Sequence, residues 1–240
     1  MMYNFDYSEE MTKMSAELKT MCENERNAVI NAIEKSKVIA IIRGVEGEKL
    51  LKTAQAIYDG GVRVMEITFD ATGNTTEAET GAMISELIRI LPDDVYIGSG
   101  TVIDISKVEA TRRAGGRFII SPDANEAVIK RTRELGMVSI PGAITPTEIS
   151  NAHNWGADFV KLFPVGNFGL GYVKAIKAPL SHIKMLAVGG ITPDETHEYM
   201  LAGICGFGVG SAIVKKDMIE AGRFDKITEY ARAYSQAVNK

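Results

Sequence analysis

Lys161 lies in the middle of a short apolar segment, Phe159 to Phe163, bounded by turn-forming residues. Such a segment is typical of a buried strand. Burial removes the hydration of an ammonium group and lowers its pKa, so more of the side chain is present as free amine. Because free amines attack carbonyl carbons, Lys161 is a candidate nucleophile that forms a Schiff base with a keto substrate. The alternative is a lysine at a strand end that reaches solvent or pairs with a neighbour such as Asp158.

Glu66 ends a second apolar run, and side-chain alternation predicts that Val62, Val64 and Glu66 share one face of a strand. In a site sheltered from water the pKa of this carboxyl group rises toward neutrality, the range that a general base needs. The alternative is a structural carboxylate paired with a lysine or an arginine.

Arg43 and Thr101 each follow an apolar or glycine-rich strand segment. The planar guanidinium of Arg43 matches a carboxylate or a phosphate in two parallel hydrogen bonds, or it pairs with Glu66, and these two roles are compatible. The hydroxyl of Thr101 is a candidate ligand for a substrate carboxylate. The glycines of segment 97–100 that precede it are also explained by close packing alone.

Two glycine-containing loops near the end of the sequence form a candidate anion site. Gly189 and Gly190 follow the seventh predicted strand, and Gly210 and Ser211 follow the eighth. Barrels that bind phosphate use the backbone amides of these two loops, where glycine lets the ligand approach the chain closely. Either pair alone is equally consistent with an ordinary turn.

Two apolar side chains complete the candidate pocket. Pro122 lies just past a predicted strand and is expected to shape a loop and a pocket wall. Phe163 shares a face with Lys161, so it either packs on the Schiff base or belongs to the core.

Strands and helices alternate along the whole chain after an N-terminal segment, 8–35, whose apolar spacing predicts one or two amphipathic helices. That segment includes Met11, Met14 and Leu18, and it either closes one end of the fold or meets a partner. Strands are predicted over 38–43, 62–68, 95–101, 117–121, 137–141, 158–163, 184–188 and 206–209. Helices are predicted over 47–58, 74–91, 105–114, 125–135, 146–155, 171–177 and 193–201, with a terminal helical region to 238.

Eight strands that alternate with helices run parallel with right-handed crossovers, which predicts a closed (β/α)8 TIM barrel. An open doubly wound sheet is disfavoured because no Gly-x-Gly-x-x-Gly follows the first strand and polar residues end nearly every strand. We expect one domain, with a helical extension over 1–36, a barrel core over 37–214 and a helical region over 215–240.

Composition narrows the function. The 240 residues carry a formal net charge of -4, and the chain has no long basic run, so neither nucleic acid nor an anionic membrane is an expected partner. The sequence lacks a long apolar stretch and a signal-peptide pattern, which predicts a cytoplasmic protein. Two isolated cysteines and three scattered histidines show no metal-ligand spacing, so no metal site is predicted.

Residues 38–214 resemble the aldolases of the 2-keto-3-deoxy-6-phosphogluconate (KDPG) and 4-hydroxy-2-oxoglutarate (KHG) family, including the branch that cleaves 2-dehydro-3-deoxy-6-phosphogalactonate. The shared motifs, in chain order, are Ile41-Ile42-Arg43-Gly44, Gly61-Val62-Arg63-Val64-Met65-Glu66-Ile67-Thr68, Gly98-Ser99-Gly100-Thr101-Val102, Ile120-Ser121-Pro122, Ile140-Pro141-Gly142, Val160-Lys161-Leu162-Phe163-Pro164 and Val188-Gly189-Gly190-Ile191.

The resemblance implies a class I aldolase that cleaves a 2-keto-3-deoxy-6-phospho sugar acid, 4-hydroxy-2-oxoglutarate, or both. It implies Lys161 as the Schiff-base lysine, Glu66 as the general acid and base, and Arg43 and Thr101 as ligands of the pyruvyl carboxylate. It further implies a phosphate site at Gly189, Gly190, Gly210 and Ser211, no cofactor, and commonly a homotrimer.

One position departs from the family pattern. Members that act on phosphogluconate often carry an arginine four residues after the catalytic glutamate, where this chain has Asp70. The departure leaves the sugar epimer open.

Two other functions fit the anion loops. A phosphosugar isomerase or epimerase would use the same phosphate site but needs no strand lysine, and a barrel without catalysis would bind a sugar phosphate without turnover.

Overall fold

The computed structural model describes residues 7–239, with side chains from residue 20 onward. Its strands are β1 (Val38–Ile42), β2 (Val64–Thr68), β3 (Tyr96–Gly100), β4 (Phe118–Ile120), β5 (Val138–Ile140), β6 (Gly142–Ala143), β7 (Val160–Leu162), β8 (Met185–Val188) and β9 (Gly206–Val209). Its α-helices are α1 (Tyr7–Ser36), α2 (Gly47–Asp59), α3 (Glu77–Ile90), α4 (Ile105–Arg113), α5 (Glu126–Glu134), α6 (Pro146–Asn154), α7 (Gly169–Lys177), α8 (Thr196–Leu201), α9 (Lys216–Glu220) and α10 (Phe224–Ala237). Short 3-10 turns cover Val165–Asn167 and Pro193–Glu195.

All strand pairings in the described part of the chain are parallel, in the order β5-β4-β3-β2-β1-β9-β8-β7-β6. The strands β5 and β6 are two pieces of one barrel strand, interrupted at Pro141 because proline has no N–H for the ladder. The first piece pairs with β4 and the second with β7, while the Lys161 N–H donates to the Pro141 carbonyl at 2.8 Å. The sheet therefore closes, and the predicted (β/α)8 barrel is confirmed.

Side-chain alternation divides the core into two layers. Inward-facing residues of the strands form a cluster inside the barrel that includes Val64 and Phe159. The neighbouring Met65 and Val160 face outward and pack beneath the helices. Positions two residues beyond the inward-facing ones point to the same side, so the barrel directs side chains into the interior at its carboxyl-terminal end.

The prediction that Val62 shares this inward face is wrong. The strand β2 begins at Val64, and Val62 belongs to the turn that ends α2, where its N–H donates to the Ile57 carbonyl at 3.3 Å. Its side chain packs in the outer layer instead, because the turn rotates the chain before the strand pairs.

The helix α1 is continuous, and its last turns close the amino-terminal end of the barrel. Val29 and Ile33 are buried in the interior cluster. Ion pairs hold the same helix to residues that precede three strands: Arg26 to Asp158, Glu25 to Arg117, and Glu34 to Lys184. The side chains of Met11, Met14 and Leu18, for which a partner was the alternative, lie outside the described residues.

Shortening a buried side chain in the last turns of α1, which plug the amino-terminal end of the barrel, is expected to destabilise the fold. Ile33→Ala removes a side chain that is 1% exposed, and we expect the free energy of unfolding to fall by about 2–5 kcal/mol in urea titrations. Met21→Ala, at a position 60% exposed on the same helix, is the control and should change it by less than about 0.5 kcal/mol. Equal effects of the two substitutions would show that α1 does not plug the barrel.

Among the described residues, none of the helices is both long and apolar enough to span a bilayer.

Candidate active site

Lys161 on β7 and Glu66 on β2 both project into the barrel at the carboxyl-terminal ends of their strands. Lys161 is 8% exposed and Glu66 is 1% exposed. Phe159 and Val64 precede them by two residues and occupy the interior cluster, which is why the alternation aims both chemical groups into the same space. The structure therefore brings together the amine and the carboxyl group that the sequence singled out.

Burial shifts the pKa values of Lys161 and Glu66 in the directions that a nucleophilic amine and a general acid or base need. Desolvation lowers the pKa of Lys161, an effect that the Arg43 charge reinforces and the Glu66 charge opposes. Desolvation raises the pKa of Glu66, against the opposing charges of Lys161 and Arg43. It follows that Lys161 has a larger free-amine fraction, and that Glu66 keeps its proton to a higher pH than an exposed glutamate does.

One oxygen of Glu66 remains available within this site. The Thr68 hydroxyl donates to Glu66 Oε1 at 3.3 Å, whereas the buried Oε2 has no hydrogen-bond partner among the described residues. A buried carboxyl oxygen without a partner is costly to a fold. Such an oxygen at the mouth of a barrel is typical of a group that accepts from a substrate or exchanges a proton with it.

The backbone of β3 makes room for this carboxyl group. A Cβ at Gly100 would lie 1.5 Å from Glu66 Oε1, so only glycine fits there. A Cβ at Gly98, one pleat earlier, would instead meet the Phe118 carbonyl at 2.4 Å. Gly100 therefore leaves room for the Glu66 carboxyl group, and Gly98 allows β3 to pack closely against β4.

Arg43 and Thr101 meet at the rim. The Arg43 Nη2 donates to Thr101 Oγ1 at 3.3 Å, and Arg43 is exposed toward the opening. Thr101 has φ +59°, a left-handed conformation that β-branched residues rarely adopt and that costs about 1–3 kcal/mol. The fold holds this hydroxyl in a strained position beside a guanidinium. The suggested pairing of Arg43 with Glu66 is not among the ion pairs of the described residues, and the two interact only as nearby charges.

Phe163 lies over the amine. Its ring centroid is 4.7 Å from Lys161 Nζ, and the side chain is 39% exposed. The core alternative for Phe163 is therefore wrong, since the residue follows the end of β7 and its ring faces the pocket mouth.

The two glycine loops take up different positions around the opening. Gly210 and Ser211 line a pocket of about 520 Å³ together with Arg43. Gly189 lies beside Pro164, and its carbonyl accepts from the Gly166 N–H at 3.0 Å, with Gly190 following in the same turn.

The role of Pro122 in a pocket wall stays a prediction, since Pro122 lines neither of the two pockets beside Arg43. Pro122 is exposed after β4. A Cβ at Gly142 would lie 2.3 Å from the Pro122 carbonyl oxygen. Pro122 therefore packs the end of β4 against β6.

Asp70 lies at the position where members of the family that the chain resembles often carry an arginine. Its hydrogen bonds hold the loop that follows β2. Its carboxylate accepts from the backbone N–H groups of Thr72 at 2.8 Å, Asn74 at 2.7 Å and Thr75 at 3.1 Å, and these bonds lower its pKa to about 2. Thr75 Oγ1 in turn donates to Glu46 at 2.6 Å, which ties this loop to the one after β1. Asp70 thus stabilises a pocket wall rather than presenting a cation.

Sequence reasoning missed three residues of this region. Thr68 could have been found because it is two residues beyond Glu66 on the same face. The contact of Gly100 with Glu66 and the position of Lys216 at the opening depend on packing between strands and loops that no local pattern reports. Among the side chains that the structure describes, residues 20–239, no group of His, Cys, Asp or Glu is arranged to hold a metal ion.

The model of the family described as "Aldolase: KDPG and KHG aldolase" matches residues 29–230. The chain belongs to this family. A 2-dehydro-3-deoxy-6-phosphogalactonate aldolase of Escherichia coli (strain K12) is 34% identical over 205 residues, which are 85% of this chain and 97% of the relative. The resemblance that the motifs indicated is confirmed, and with it the class of enzyme, a class I aldolase.

Solved structures agree with this assignment. A KDPG aldolase from Legionella pneumophila, with pyruvate captured as a covalent carbinolamine intermediate, is 30% identical, with TM-score 0.75 over 85% of this chain and 96% of that one. A cube-shaped protein cage designed by fusing symmetric oligomeric domains is 33% identical, with TM-score 0.75 over 84% of this chain and 72% of that one. Membership of an aldolase family leaves the isomerase and non-catalytic alternatives without support.

Gly100→Ala is expected to impair the aldolase through Glu66. Since the added methyl group displaces the carboxyl group, we expect kcat for cleavage to fall about 100-fold, as is typical of a misplacement near 1 Å. Gly98→Ala is the matched control: it should lower thermal stability while the folded fraction keeps its kcat. If Gly100→Ala retains wild-type kcat per folded molecule, the carboxyl group does not depend on this contact.

Proposed function

We propose that this aldolase cleaves a 2-keto-3-deoxy-6-phospho sugar acid of the phosphogluconate or phosphogalactonate type, 4-hydroxy-2-oxoglutarate, or both. The products are pyruvate and an aldehyde, glyceraldehyde 3-phosphate from the sugar acid or glyoxylate from the shorter substrate. The observation that carries the proposal is the pairing of a buried amine of lowered pKa, Lys161, with a buried carboxyl group of raised pKa, Glu66, inside one barrel mouth.

The chemistry follows from these two groups. The Lys161 amine adds to the C2 ketone, and loss of water leaves an iminium that accepts electrons from the bond to be broken. Glu66, directly or through a water, takes the proton of the C4 hydroxyl, the C3–C4 bond breaks, and an enamine of pyruvate remains on Lys161. Protonation of the enamine and hydrolysis then release pyruvate and the free lysine. Because the iminium is the electron sink, the reaction requires neither a metal nor an organic cofactor.

The surrounding residues bind the substrate in this proposal. Arg43 and Thr101, already joined by a hydrogen bond, receive the C1 carboxylate. The terminal phosphate lies at the loops of Gly189–Gly190 and Gly210–Ser211, and the second of these loops lines a pocket together with Arg43. Phe163 covers the Schiff base, and Pro122 shapes the opposite wall.

Covalent trapping tests the proposal. The protein is incubated with pyruvate and borohydride, and its intact mass and peptide map are measured. We expect one reduced pyruvyl adduct, on Lys161, and turnover of at least one of the named keto acids. A folded protein that gains no adduct would overturn the mechanism.

We also propose a homotrimer. The family resemblance and the likeness to a chain fused from symmetric oligomeric domains support it. Sedimentation velocity at several protein concentrations distinguishes a stable trimer from a monomer or a dimer.

Removing the Arg43 charge is expected to shift the pH dependence of trapping. Arg43 lowers the pKa of Lys161 and of Glu66, so Arg43→Gln raises both and leaves less free amine at a given pH. The acid limb of the adduct-formation rate at saturating pyruvate should therefore move to higher pH. Arg112→Gln, on α4, is the control. Superimposable profiles for Arg43→Gln and the wild type would contradict the prediction.

A further inference from the structure

We propose that Lys216 is a specificity-determining residue whose ammonium group binds the terminal phosphate of the substrate. Lys216 begins α9, just after the Gly210–Ser211 loop. The inference rests on the phosphorylated substrate proposed above, and it assigns to that phosphate a charged ligand in addition to backbone amides.

The position of Lys216 joins two parts of the opening. The residue lines the pocket of Gly210 and Ser211, and it also lines the adjoining pocket of about 380 Å³ that contains Thr68 and Asp70. Arg43 is common to both pockets. A phosphate at the Gly210–Ser211 loop would therefore share its pocket with this ammonium group and with Arg43.

The absence of a side chain at Gly44 leaves room for the Lys216 ammonium group. A Cβ at Gly44 would lie 3.3 Å from Lys216 Nζ, and the glycine has φ +63°, a conformation that L side chains rarely adopt. The loop after β1 thus lies against the ammonium group, at the rim that Gly44 and Lys216 both line.

The charge of Lys216 has no counter-ion among the described residues, since none of their carboxylates lies within 4.0 Å of its Nζ. Neighbouring acids are otherwise engaged: Asp70 accepts from its own loop, and Glu46 accepts from Thr75. Asp217, the next residue along α9, also lines the pocket but makes no ion pair with Lys216.

Two neighbouring lysines show the contrast. Lys49 pairs with Glu220 at the other end of α9. Lys215 also lines the pocket of Gly210 and Ser211, but its Nζ lies 4.3 Å from the centroid of the Tyr230 ring, so an aromatic face on α10 engages its charge. Lys216 has no such partner among the described residues, and it lines both pockets together with Arg43. Two like charges that line one pocket favour an anion between them.

A phosphate is the anion that this arrangement suits. The amides of Gly210 and Ser211 supply directional donors but no net charge, whereas a phosphate monoester carries close to two negative charges. A lysine acts as a point charge on phosphate and needs no planar geometry. A hydrogen bond to a charged group of this kind is worth about a 10- to 100-fold change in affinity.

The test compares Lys216→Gln with Lys49→Gln, which removes a lysine charge that lines neither pocket. Each variant and the wild type are assayed with the 2-keto-3-deoxy-6-phospho sugar acid and with the same sugar acid lacking phosphate. For Lys216→Gln we expect kcat/KM for the phosphorylated substrate to fall about 10- to 100-fold, through KM, and that for the other to change less than about 3-fold. Lys49→Gln should change neither by more than about 3-fold.

A second measurement does not need turnover. Inorganic phosphate is titrated into each protein by calorimetry, and Lys216→Gln should weaken its binding while Lys49→Gln should not. Equal losses on both sugar acids, equal effects of the two variants, or unchanged phosphate binding would overturn the role of Lys216. Failure of the proposed function looks different, because the wild-type enzyme would then cleave neither sugar acid or form no pyruvyl adduct on Lys161.

Discussion

Lys161→Met is expected to lower kcat for cleavage by about 10⁴- to 10⁶-fold, the loss typical of removing a covalent nucleophile. Methionine keeps the length and burial of the side chain but has no amine, so the iminium cannot form and the C3–C4 bond has no electron sink. The substitution also removes a desolvated ammonium group, and the barrel should fold at least as well. No borohydride-trapped adduct should appear at residue 161.

The matched control is Lys174→Met, an exposed lysine on α7. It should keep the adduct and the wild-type kcat. A trapped adduct that persists in Lys161→Met, on any other lysine and with turnover, would show that the nucleophile has been misassigned.

Glu66→Gln is expected to separate Schiff-base formation from cleavage. Glutamine keeps the shape of the carboxyl group but cannot take the proton of the C4 hydroxyl, so kcat should fall about 10²- to 10⁴-fold, the usual contribution of a positioned acid or base. The free lysine remains, and pyruvate should still be trapped on Lys161. Single-turnover cleavage and the trapping rate are measured on the same protein.

The pH dependence of trapping gives a second signature of Glu66. The Glu66 charge raises the pKa of Lys161, so its removal lowers that pKa and leaves more free amine at acid pH. The acid limb of adduct formation should therefore move to lower pH in Glu66→Gln, opposite to the shift expected for Arg43→Gln. If both variants shift in the same direction, Glu66 is not the carboxylate that interacts with Lys161.

The elements of the barrel were predictable because their signals are local. Apolar runs alternating with amphipathic segments placed every barrel strand, and the predicted helix bounds from α2 to α8 differ from the observed ones by at most three residues. The same period-two alternation directed Lys161 and Glu66 inward, since each follows a buried residue by two positions. Catalytic candidates at strand ends are therefore visible in the sequence whenever the strands themselves are.

Other features were decided only by the tertiary structure. The fifth barrel strand pairs with β4 before Pro141 and with β7 after it, and a single-strand pattern does not contain these neighbours. The displacement of Val62 into the outer layer follows from the turn that ends α2. The contact of Gly100 with Glu66 and that of Gly44 with Lys216 join segments distant in the sequence.

The physical reason is the same in each case. Periodicity determines which side of its own strand or helix a residue occupies, because that depends on the local backbone. Which atoms then meet depends on the register between parallel strands and on loop conformations, and packing between segments far apart in the chain sets both. The sequence by itself determined the barrel and its amine and carboxyl group, and the tertiary structure decided what surrounds them.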